Sequence, residues 1–150
     1  MNEELTTALK PVLRDLSATC AVQPKVTEEV YHGEEHIVLY ERDGSGTGIG
    51  LWLGRNHAER IAHIADQIQD WAVEALCAAL KPAVWPECPT HPDSHPLQPE
   101  VKGGIAVWSC PHTRQTVSLI GELPRPRPRV ESEGRERGPR RKRERRRARE

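Results

Sequence analysis

Two of the four cysteines and three of the seven histidines lie between residues 85 and 123, and these residue types ligate metal ions. Cys88 and His91 are separated by two residues, a spacing at which one tight turn can present two ligands. Cys110 follows 22 positions after Cys88, where a predicted strand meets a turn. Because thiolate and imidazole suit tetrahedral Zn²⁺, this stretch predicts a site like that of a zinc ribbon.

The fourth ligand has two candidates. A ribbon's second half usually carries two ligands with two residues between them, whereas Cys110 and His112 enclose only one. His95, in the first loop, is the other candidate. The predicted set is therefore Cys88, His91, His95 and Cys110, with His112 as the substitute for His95. The competing interpretation has no metal: two buried cysteines, and histidines on a stiff, proline-rich surface loop.

The number of ligands separates two classes of function. Four protein ligands fill the tetrahedron, and such a zinc site is structural. Three ligands leave a position for water, and a metal-dependent hydrolase would then need a general base, for which Glu87, Asp93 and Glu100 are the nearby carboxylates. We expect the structural site, in a non-enzymatic binding or adaptor protein, with the hydrolase as the alternative.

The first part of the chain reads as a helix followed by strands. Leucine and valine recur at helical spacing over residues 2–16, although Pro11 should kink the helix or mark its start. Residues 26–31, 36–42 and 47–53 have strand composition, and the glycine-rich residues 43–46 favour a hairpin turn. Alternate glycines over 44–50 do not make a phosphate-binding loop, because the third glycine of that pattern is missing and a strand follows.

Residues 56–80 predict a long amphipathic helix. Asn56 can cap it and Glu59 stands three residues further on, as in a capping box. Apolar residues recur at steps of three and four up to Leu80, and Cys77, which borders this stripe, is predicted to be a buried thiol. Lys81 suits the negative end of the helix, and Pro82 stops it.

The proline-rich residues 82–99 predict an ordered loop, followed by a small antiparallel meander with strands at 97–101, 105–110 and 115–120. The predicted fold class is α+β: an N-terminal helix, an antiparallel hairpin, a long amphipathic helix, and a zinc-ribbon-like β-meander. We expect three regions: an α+β body at 1–83, the meander packed on it at 84–123, and a disordered tail at 124–150.

The formal net charge of zero conceals a basic tail on an acidic body. Residues 124–150 hold thirteen Lys and Arg against five Glu, which leaves the remainder at −8. Such a tail predicts a nucleic acid or another polyanion as partner, or self-association of the tail with the acidic body. Without aromatic residues among the arginines, nucleic-acid contact would be non-specific. Its predicted residues are Arg140, Arg141, Lys142, Arg143, Arg145, Arg146, Arg147 and Arg149.

The chain shows no signal-peptide pattern and no apolar stretch long enough to span a membrane. We therefore expect a cytoplasmic protein with no membrane partner. In that compartment thiols stay reduced, which favours buried thiols or metal ligands over disulfides.

The segments WPECPTHPDSHPL, AVWSCP and AERIAHIADQIQDWAVEAL resemble parts of small uncharacterised proteins that are common in actinobacteria and their phages. The resemblance covers roughly residues 1–122 and implies a folded body with an individual basic extension. The family has no assigned activity, so the resemblance implies no catalytic residue.

Overall fold

The computed structural model describes residues 2–51 and 55–126, and this part of the chain is α+β. It contains two helices and two three-stranded antiparallel sheets, which confirms the predicted class. In chain order the elements are α1 (Glu3–Thr19), β1 (Lys25–Tyr31), β2 (Glu34–Tyr40), β3 (Gly46–Ile49), α2 (His57–Ala78), β4 (Gln98–Lys102), β5 (Ile105–Ser109) and β6 (Thr116–Leu119). The strand prediction for residues 52 and 53 and the predicted disorder of 127–150 lie outside the described residues.

Helix α1 starts at Glu3 and runs through Pro11 to Thr19, three residues beyond the predicted end. Asn2 caps it, because its side chain accepts the backbone N–H groups of Glu4 and Leu5. The proline has a packing role that the sequence did not suggest. A Cβ atom on Gly121 would lie 2.7 Å from the Pro11 Cβ, so the chain after β6 can approach the helix only with glycine at this position.

The first sheet is a meander in the order β1-β2-β3. In its second turn Asp43 accepts the backbone N–H of Ser45, as the hairpin prediction implies. Ile37 and Leu39 of β2 are buried, whereas β1 is an edge strand that is mostly exposed. The sheet therefore packs on the core through its middle strand, β2, whereas β1 is exposed to solvent.

Helix α2 begins with the predicted capping box: Asn56 accepts the N–H of Glu59, whose carboxylate accepts the N–H of Asn56. The predicted apolar stripe is buried from Ile64 to Leu76. The prediction that the helix and its apolar stripe extend to Leu80 was wrong, because the helix ends at Ala78 and Leu80 is 95 % exposed. The prediction that Cys77 is buried was also wrong, since its side chain is exposed.

The second sheet is the predicted meander, in the order β4-β5-β6. Helix α2 packs against β4 and β5 on one side and against α1 on another, so one continuous core joins both helices to both sheets. The division at residue 83 stays a prediction. Among the described residues, neither helix has the length and apolar character needed to cross a bilayer.

Candidate metal centre

Four of the five predicted metal ligands come together between the loop after α2 and the end of β5. Cys88, His91 and His95 are in the loop, and Cys110 directly follows the strand. One ligand atom from each of the four residues lies within 4.8 Å of those of the others. Both cysteines are buried and both histidines are half-buried, so the cluster lies at the edge of the core.

Four of the six separations within the cluster are close to those that a tetrahedral zinc site would require. The Nδ1 atom of His91 lies 3.5 Å from the Sγ of Cys88 and 3.5 Å from the Sγ of Cys110. The Nε2 atom of His95 lies 3.1 Å from that Nδ1 and 3.8 Å from the Cys110 Sγ. Zinc bonds of about 2.3 Å to sulfur and about 2.05 Å to nitrogen require S···N separations of about 3.6 Å and an N···N separation of about 3.3 Å.

The ring of His95 is held in the orientation that a ligand needs. Its Nδ1 lies 2.9 Å from the backbone carbonyl of Pro96, which can only accept a hydrogen bond. In the neutral ring the proton is therefore on Nδ1, and the lone pair of Nε2 is directed at the cluster. His91 presents its other nitrogen, Nδ1, to the two sulfur atoms.

The local backbone stabilises Cys110 as a thiolate. Burial alone would raise the pKa of this thiol, but the backbone N–H groups of Thr113 and His112, the Thr113 hydroxyl and the Cys88 thiol lower the pKa to about 6. The turn that follows β5 supplies the His112 and Thr113 donors, with the Arg114 N–H bonded to the Cys110 carbonyl at 2.8 Å. A thiol that ionises readily is a better metal ligand, because the thiolate is the form that binds.

His112 is not a member of the cluster. Its ring is exposed and meets the edges of two others, with centroids 4.6 Å from His95 and 5.8 Å from His91. Of the two alternatives left open by the sequence, the structure thus places His95 among the potential ligands and His112 beside them.

The side chain of Gln69 on α2 anchors both ends of the ligand loop. Its Nε2 donates to the backbone carbonyls of Trp85 and Leu97 at 3.0 Å and 2.5 Å. The Leu97 N–H donates to the Pro86 carbonyl at 2.8 Å, which closes the loop at its base. The proline-rich segment is therefore ordered, as predicted, and is fixed to the long helix.

Asp15 is the residue of this region that the sequence reasoning missed. Its carboxylate is fully buried and accepts the Trp108 indole N–H at 2.8 Å and the backbone N–H groups of Gly121 and Leu123 at 2.6 Å and 3.0 Å. Arg14 adds an ion pair at 2.9 Å. The sequence did contain an indication of a buried carboxylate, because Asp15 is a charged residue within the apolar stripe of α1.

The remaining candidates are separate from the cluster or outside the described residues. Cys20 and Cys77 are free thiols that do not belong to it, and burial raises the pKa of Cys20. All eight predicted nucleic-acid-binding residues between 140 and 149 lie outside the described part of the chain.

No protein-family model matches this chain, and no curated protein or solved structure is detectably similar to it. The resemblance to small actinobacterial and phage proteins therefore stays a prediction, and any functional assignment depends on the geometry.

Proposed function

We propose that this protein is a small non-enzymatic binding or adaptor protein, with a body stabilised by one structural zinc ion and a tail that contacts nucleic acid. The observation that carries the zinc proposal is the cluster of Cys88, His91, His95 and Cys110, with separations that fit a tetrahedron. Two thiolates and two imidazoles make a donor set that favours zinc over oxygen-seeking cations such as Mg²⁺ and Ca²⁺.

Zinc at this position would act as a zinc-ribbon-like staple. It would join the loop after α2 to the end of β5, and thus the helix to the second sheet. The arrangement departs from a ribbon because three ligands come from the first loop and one from the second. A three-stranded meander of this size needs additional stabilisation, and a structural metal provides it.

The geometry favours this role over a metal-dependent hydrolase. His95 would take the fourth position, which a hydrolytic site would leave to water. Of the nearby carboxylates, that of Glu87 is already engaged, because it accepts the backbone N–H of Asp93 at 3.0 Å. The Ser109 hydroxyl holds the pKa of Glu100 below its ordinary value, whereas a general base works best with a pKa near the operating pH.

Metal analysis of the purified protein tests the zinc proposal. We expect one tightly held zinc per chain, with loss of zinc in Cys88→Ser and His95→Ala. The matched controls are Cys77→Ser and His112→Ala, which change the same residue types outside the cluster and should keep full zinc content. Equal zinc content in His95→Ala and His112→Ala, or no zinc in the wild-type protein, would refute the proposed ligand set.

The basic tail supports the second half of the proposal. Residues 140–149 contain eight basic residues and one glutamate, and arginine forks bind phosphate oxygens in pairs. Each phosphate that a protein neutralises in B-DNA contributes about 0.9 to the slope of log affinity against log salt concentration. The expected binding is therefore strongly salt-dependent and insensitive to sequence.

A salt titration of DNA binding by the full chain tests the tail. The triple variant Arg145→Gln, Arg146→Gln and Arg147→Gln should bind more weakly and flatten the salt slope, by about 0.9 for each phosphate that is no longer neutralised. The control changes three exposed lysines of the body, Lys10→Gln, Lys25→Gln and Lys81→Gln, and removes the same charge. Equal effects of the two variants would exclude the tail as the binding segment.

A further inference from the structure

The far end of the first hairpin is an exposed acidic surface. It consists of four glutamates, two on β1 and two on β2, and we call it the acidic hairpin end: Glu28, Glu29, Glu34 and Glu35. The strand register sets Glu28 opposite Ile37, Glu29 opposite His36 and Val30 opposite Glu35. Because neighbouring residues alternate between faces, both faces of this end carry carboxylates.

Apolar side chains interrupt the charge at this surface. Val30 is 71 % exposed and Tyr31 is 68 % exposed. Within the described residues β1 pairs only with β2, so its other edge presents a row of backbone donors and acceptors. An edge that combines carboxylates, an exposed tyrosine ring and unpaired backbone groups suits an extended, arginine-rich segment, because guanidinium groups pair with carboxylates and stack on aromatic rings.

A second copy of β1 would fit this edge poorly. If two copies of β1 pair antiparallel with the two-fold axis at Glu28, the two Glu28 residues lie opposite each other, and the same holds for Glu29. If the axis lies between them, Glu28 of each copy lies opposite Glu29 of the other. Like charges directly opposite on neighbouring strands are destabilising. The occupant that this surface favours is therefore basic.

The basic run 140–149 of the same chain has the required charge and can reach the surface. Asp15, towards the end of α1, binds Leu123, while Asn2 and Leu5 at the other end of α1 line a cavity together with Glu34. The path is thus about one helix length, roughly 25 Å for α1. The residues 127–139 can span up to about 45 Å when extended, which exceeds that distance.

We propose that the acidic hairpin end binds the basic run 140–149 of its own chain and withholds it from nucleic acid. The docking is inferred from the charge and exposure of the hairpin end and from the reach of the tail. The competition with nucleic acid rests on the proposed function of the tail. The hairpin then competes with phosphate for the same arginines, so the tail binds nucleic acid with an affinity reduced by the fraction of time it is docked.

Carbodiimide cross-linking of the full chain without nucleic acid tests the docking itself. Lys142 is the only lysine after residue 102, and the reagent joins its amine directly to a carboxylate in contact with it. We expect cross-links from Lys142 to Glu28, Glu29, Glu34 or Glu35 within monomeric protein at low salt, decreasing as salt is added. Cross-links spread over all exposed carboxylates, or found only in dimers, would overturn the proposal.

Nucleic-acid affinity tests the competition with a matched pair of variants. The hairpin variant is Glu28→Gln, Glu29→Gln and Glu34→Gln. The control is Asp66→Asn, Asp70→Asn and Glu74→Gln, which removes the same charge from the exposed face of α2. We expect the hairpin variant to bind DNA roughly three- to ten-fold more tightly than the control. Equal affinities would overturn the competition, whereas absence of DNA binding in every form would refute the tail proposal and leave the cross-linking result to decide the docking.

Discussion

At the residue scale, Asp15 joins distant parts of the chain. A buried carboxylate is stable only when it is hydrogen-bonded and paired, and Asp15 accepts bonds from Arg14, Trp108, Gly121 and Leu123. Trp108 in turn meets Trp85 of the ligand loop edge-to-face, with ring centroids 5.5 Å apart. The carboxylate therefore ties α1 to β5 and to the chain that follows β6, and through the tryptophan pair to the loop that carries the candidate ligands.

Asp15→Asn should lower the free energy of unfolding by about 3 kcal/mol. The amide keeps the shape of the side chain, but it loses the negative charge and turns an NH₂ group towards N–H donors. Chemical denaturation measures the loss, and Asp70→Asn on the exposed face of α2 is the control, expected to change stability by less than about 0.5 kcal/mol. Equal stability of the two variants would mean that the Asp15 network is not stabilising.

The sequence predicted the candidate ligands better than it predicted the residues that support them. Cys88 and His91 were recognisable because their spacing is local. Three of the four partners of Asp15 lie 93, 106 and 108 positions away, and no spacing rule connects them to it. The choice between His95 and His112 had the same difficulty, because it depends on how the ligand loop approaches the turn after β5.

At the scale of the elements, α2 ends with a left-handed residue that is not glycine. The N–H of Leu80 bonds to the Cys77 carbonyl and the N–H of Lys81 to the Leu76 carbonyl, both at 3.0 Å, which is a Schellman motif. That motif needs a left-handed residue, and here it is Leu80, with a φ of 55°. A leucine in this conformation carries a steric cost that glycine avoids, and its side chain gains no burial in return.

Leu80→Gly should therefore stabilise the protein, by about 0.5–1 kcal/mol. Relief of the left-handed strain outweighs the extra freedom that glycine gives the unfolded chain. The control is Ala79→Gly, one residue earlier at a φ of −83°, where glycine should destabilise by a similar amount. Thermal or chemical denaturation measures both, and a loss of stability in both variants would contradict the strain argument.

The order and type of the elements follow from periodicity, whereas their ends depend on contacts elsewhere. The capping box at Asn56 is visible in the sequence because its partner is three residues away. The spacing of residue 80 continues the apolar pattern of α2, but the Schellman motif ends the helix first. Pro11 lacks the backbone N–H that a helix uses, so local rules disfavour it in α1. Its ring nevertheless provides the contact against which Gly121 packs.

At the scale of the whole molecule, the two sheets depend differently on the candidate metal centre. The first sheet contributes Ile37, Leu39 and Ile49 to the core and none of the four ligands. In the second sheet Cys110 directly follows β5, and the loop that leads into β4 holds the other three ligands. A metal ion there would act on the second sheet directly and on the first only through the shared core.

Chelation of the zinc-loaded protein should therefore raise amide hydrogen exchange mainly in the ligand loop and in β4, β5 and β6. The amides of β2 and β3 should keep most of their protection, because their sheet packs on α2 without metal ligands. The Cys77→Ser variant, whose exposed thiol is outside the cluster, should respond to chelation as the wild-type protein does. Equal loss of protection in both sheets would instead mean that the metal supports one cooperative unit, and unchanged exchange in the second sheet would contradict the zinc staple.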